Sequence, residues 1–65
     1  MTTTEARHTA RRIGRLGAEF AGDRLILAAW LASFAEWPEI VETIGRDRAT
    51  NAARYGARET VKERG

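Results

Sequence analysis

Apolar and polar residues alternate along this chain with a helical period. Ala6, Ala10, Ile13, Leu16, Gly17 and Phe20 recur on one side of a helix that advances ~100° per residue. Arg7, Arg11 and Arg15 recur on the opposite side, with His8 and Arg12 flanking them. Thr2 and Glu5 stand at capping-box spacing, so the pattern predicts a first helix over residues 3–21. Gly22 can end it, and Asp23 is a favoured cap for the next.

From Leu25 to Ala35 the sequence reads L-I-L-A-A-W-L-A-S-F-A, with Ser33 the single polar position. A helix over 24–36 divides this run into two unlike sides. Ile26, Leu27, Trp30, Leu31, Phe34 and Trp37 form a bulky face; Ala28, Ala29, Ala32, Ser33 and Ala35 form a face of small residues. Leu25 is the exception on the small side. A bulky face fills a core and a small face admits a neighbouring backbone, so this second helix is expected to pack on both sides.

Trp37-Pro38 interrupts the pattern, because proline clashes with the preceding turn and suits a first helical position. A short third helix over 38–44 turns Ile40, Val41 and Ile44 inward and Glu39 and Glu42 outward. Gly45 ends it, and Asp47 is placed to cap a fourth helix over 47–62. The inner side of that helix is Ala49, Ala52, Ala53, Gly56 and Thr60, with no large apolar group. At about 25 cal/mol per Å² such a face gains little by burial, so weak anchoring is expected, against the alanine face of helix two.

The fold expected is therefore all-α, one domain over residues 1–65, a small bundle of three to four short helices completed by homodimerisation. Length points to such completion by a second copy. A core in 65 residues rarely supplies more than about 3–5 kcal/mol without a staple. There is no cysteine for a disulfide, and His8 is the only histidine, so a structural zinc site is not expected. No metal and no cofactor is expected. The apolar run of helix two is too short for a bilayer, which needs about 20 residues, and the first residues lack a secretory apolar run. A cytoplasmic protein with no membrane partner is the expectation. Arginine far outnumbers lysine, a bias of GC-rich coding that suggests a bacterial or phage-like source and dilutes the meaning of each arginine.

Net charge is only +2, but its distribution is uneven. Both ends of the chain are basic, while residues 21–45 set Arg24 against Asp23, Glu36, Glu39 and Glu42. Like charges at i, i+4 on helix one cost a few tenths of a kcal/mol per pair, so an anion or an acidic partner against that stripe would explain it. Catalysis has little to work with: one serine, in the apolar run, one histidine and no cysteine. The segment Gly14-Arg15-Leu16-Gly17 lacks the spacing of a phosphate loop, and Glu36, Glu39 and Glu42 lack the histidines of a di-metal bundle.

Two functional expectations remain. The first is a non-enzymatic interaction and regulatory module that oligomerises or docks on another protein, with Leu27, Trp30, Leu31, Phe34 and Trp37 as interface residues. The second is a dimeric nucleic-acid-binding regulator that uses Arg7, Arg11, Arg12 and Arg15 on helix one, or Arg48, Arg54, Arg58 and Lys62 on helix four.

Overall fold

The computed structural model describes all 65 residues as four α-helices and no strand. They are α1 (Thr3–Leu16), α2 (Arg24–Ala32), α3 (Trp37–Ile44) and α4 (Arg46–Arg64), with a 3₁₀ turn at Ala18–Phe20. At α1 the Thr2 hydroxyl accepts from the Glu5 N–H, while the Glu5 carboxylate accepts from the Thr2 N–H, both at 3.1 Å. That capping box satisfies two amides that the helix cannot. At α2 the Asp23 carboxylate accepts from the Leu25 and Ile26 amides at 3.1 and 3.0 Å.

Several helix ends differ from those expected. α1 stops at Leu16, because the Gly17 amide is shared between the Ile13 and Gly14 carbonyls and the chain tightens into the 3₁₀ turn. Leu16, expected inside, therefore lies exposed at the helix end. α2 stops at Ala32, four residues early. Its Ser33 hydroxyl donates to the Trp30 carbonyl at 2.6 Å, and the Ser33 and Phe34 amides turn back by three residues. Trp37 consequently opens α3 rather than closing α2. Asp47 does not cap α4: Gly45 does, at φ +88°, and Asp47 lies within the first turn, where a negative charge suits the helix dipole.

The largest correction concerns α4. It docks along α1, not α2, and it is the most closely seated helix in the molecule. Ala6, Ala10 and Gly14 form one four-residue ridge, and Ala49, Ala53 and Ala57 another. With such small side chains the two backbones come almost into contact. A Cβ added at Gly14 would lie 2.7 Å from the Ala53 Cα and nearer still to its carbonyl. One added at Gly56 would meet the Arg11 carbonyl in the same way. Arg11 reaches Glu59 and Arg15 reaches Glu63, so the two helices run in the same direction, and the segment between them returns the chain to its starting end.

That return segment caps the pair with the larger side chains. Leu27, Leu31 and Ile40 are fully buried, with Ile13, Trp37 and Ile44 close behind. Phe20, Trp30 and Phe34 form an aromatic row on the rim, at ring-centroid distances of 5.8 and 4.6 Å. At Gly17 the Trp30 ring occupies the space that a side chain would take. The Cα radius of gyration is 10.7 Å, against about 11 Å for a compact chain of this length. One copy is thus already closed around its own core.

Candidate interaction surfaces

Most of the bulky face of α2 turns inward. Leu27, Leu31 and Trp37 lie in the core, and Trp30 and Phe34 are half-buried on its rim. Of the five interface residues read from the sequence, only those two present area to a partner. The outward face is the other one. Ala28, Ala29, Ala32 and Ala35 are exposed, so α2 packs on one side only within a single chain. Leu25 is 84% exposed and Ile26 51%, large values for aliphatic side chains in the middle of a folded protein. Beside them a groove of about 670 Å³ runs between α2, α3 and the start of α4, walled by Ala28, Ala29 and Ala32 on one side and Pro38 and Val41 on the other, with Arg46 and Thr50 of α4 completing its lining. The exposure of Leu25 was visible in the sequence as the odd member of the small face. What hid its meaning was the expectation that α4 would cover it.

The basic stripe of α1 has a different fate from the one its spacing suggested. Its acidic partner belongs to the same chain. Arg11 pairs with Glu59, and Arg15 bridges Glu59 at 2.6 Å and Glu63 at 2.8 Å. The Arg11 hydrogen bond holds the Glu59 carboxyl below the ordinary carboxylate range, with the Arg15 charge acting in the same direction. Hydrogen bonding to Glu63 raises the Arg15 guanidinium above its usual value. Arg11 also lies over the Tyr55 ring, 4.9 Å from its centroid. As anion ligands, Arg11 and Arg15 are therefore largely compensated.

Arg7, Arg12, Arg48, Arg54, Arg58 and Lys62 make no ion pair. They do not gather at one place. Arg7 and Arg48 face each other across a groove of about 480 Å³ between α1 and α4, together with His8, Arg11, Asn51 and Tyr55. Arg12 lies along α1 beside His8 and Arg15, and Arg58 and Lys62 lie further along α4 beside Tyr55. Arg54 is apart from these. Its Nε is buried without an acceptor, and burial lowers its affinity for the proton, with Arg24 and Arg58 adding repulsion. Sequence reasoning treated the two basic faces as alternatives. It missed Tyr55 and Asn51 as members of a shared groove, because only the parallel docking of α4 on α1 brings them beside Arg7 and His8.

No cluster of three or more histidine, aspartate or glutamate side chains is placed to hold a metal ion. Ser33 spends its hydroxyl on the Trp30 carbonyl, while His8 opens onto the arginine groove. No helix is long and apolar enough to cross a membrane. No protein family, curated protein or solved structure matches this chain.

Proposed function

We propose that this protein is a small, non-catalytic helical interaction module, and that the partner of its α2 face is a second copy of the chain. The observation that carries the reading is the bare apolar side of α2, with Leu25 84% exposed beside an alanine-walled groove. The core alone is modest, since only Leu27, Leu31 and Ile40 are large and fully buried, and covering α2 adds the burial that one copy lacks.

A second copy suits this face because the face complements itself. In a two-fold contact each residue meets the one that meets it in return. With the axis between Ala28 and Ala29, antiparallel α2 helices set Leu25 of each copy over Ala32 of the other, a projecting group against a shallow one. The same arrangement carries Arg24, at the start of α2, toward Glu36, just beyond its end. The strip is short, since nine helical residues span roughly 14 Å. It falls below the roughly 800 Å² per partner of a standard stable interface, so the dimer is reversible, with a Kd on the micromolar scale.

The test is Leu25→Glu, which places a charge on the contact and touches nothing inside the monomer. Sedimentation or light scattering should show the variant monomeric at concentrations where the parent self-associates, with helical circular dichroism unchanged. Equal self-association of variant and parent would rule out α2 as the contact.

A further inference from the structure

The groove between α1 and α4 has a composition that interaction through α2 leaves unused. Arg7, His8 and Arg11 come from α1; Arg48, Asn51 and Tyr55 come from α4. No carboxylate lines it. The nearby acid, Glu59, is paired with Arg11, whose guanidinium lies over the Tyr55 ring. The Arg11 guanidinium and the Tyr55 ring thus make one platform, with Tyr55 60% exposed. Because α1 and α4 run in the same direction, the positive ends of both helix dipoles lie toward the Arg7 and Arg48 end of the groove.

We propose that this groove binds single-stranded nucleic acid, with a base stacked on the Arg11–Tyr55 platform and its flanking phosphates on Arg7 and Arg48. Each part of that ligand answers a feature of the groove. Unpaired guanidiniums on both walls suit a backbone that carries a charge on each side of the base. An exposed aromatic ring offers stacking to a base, and stacking needs a base that is not already paired and stacked in a duplex. The Asn51 amide can both donate to and accept from a base edge. An acidic peptide would satisfy the two arginines and leave Tyr55 and Asn51 without a role.

Fluorescence anisotropy of a short labelled oligothymidylate with the intact chain tests this. Two phosphate contacts predict a slope of log K against log salt of about −1.4, at about −0.7 per contact for a single strand. Arg7→Gln with Arg48→Gln should bring the slope near zero. Tyr55→Ala should weaken binding by about fivefold or more, because stacking on an aromatic is typically worth ~1–3 kcal/mol per base. Arg24→Gln, outside the groove, should leave affinity unchanged, and Leu25→Glu should bind as the parent does, which separates this site from the α2 contact. Absence of binding at low salt overturns the proposal. So does equal loss from Arg24→Gln and Tyr55→Ala, the mark of a diffuse basic surface, or equal competition by polyglutamate or by a duplex of the same length.

Discussion

Two glycines, Gly14 and Gly56, decide how closely the chain can fold, and a third, Gly22, does not. Gly14 and Gly56 stand where the backbones of α1 and α4 nearly touch, so a methyl group at either position must push two helices apart. Gly14→Ala gains about 1 kcal/mol of helix propensity and loses more through overpacking, typically ~1–3 kcal/mol and here against rigid backbone. The melting temperature should fall by several degrees, at about 4–8 °C per kcal/mol for a domain this small. Gly22 has open space where its side chain would be and an ordinary φ, so Gly22→Ala should be neutral or slightly stabilising. Thermal denaturation of the two variants checks the pair; equal melting temperatures would contradict the close approach at Gly14. Little of this contrast is legible in sequence. Gly14 reads as a helix-weakening residue on the flank of the apolar stripe, and its purpose becomes visible only once the Ala53 backbone is beside it.

Among the elements, those fixed by neighbours in sequence were the easiest to read. The Thr2–Glu5 box, the Asp23 cap, the Pro38 restart and the inward Ile40 and Ile44 are local chemistry, and they lie where their residue types place them. The partner of α4 was not legible. An alanine face is complementary to any other face of small residues; in the fold α4 meets α1, where Gly14 and Gly56 let the backbones nearly touch and Arg11 and Arg15 meet Glu59 and Glu63 more than forty residues away. That seam has a pH signature. Glu59 is held below its unfolded value, so its contribution is complete above the ordinary carboxylate range and disappears as pH falls through the lowered folded value. Glu5, lowered chiefly by its hydrogen bond from the Thr2 amide, behaves in the same sense. Glu59→Gln should lower stability at neutral pH and flatten, without abolishing, its decline in acid. Chemical denaturation across a pH series would show this, and an unchanged acid slope would mean that the seam carries no net stabilisation.

At the scale of the whole molecule, the chain separates its tasks by face. The parallel α1–α4 pair supplies the frame and brings Arg7 and Arg11 of one basic face beside Arg48 of the other in one groove, while α2 seals the core with one side and leaves its other side exposed. The amphipathic pattern revealed that α2 has two unlike sides; the fold shows that only the bulky one finds a neighbour within the chain. Equilibrium sedimentation of the parent chain over a wide concentration range tests the proposed α2 contact between two copies most directly. The apparent mass should rise from 7.2 kDa toward twice that value across micromolar concentrations. A mass that stays at 7.2 kDa at every concentration up to the millimolar range would contradict it.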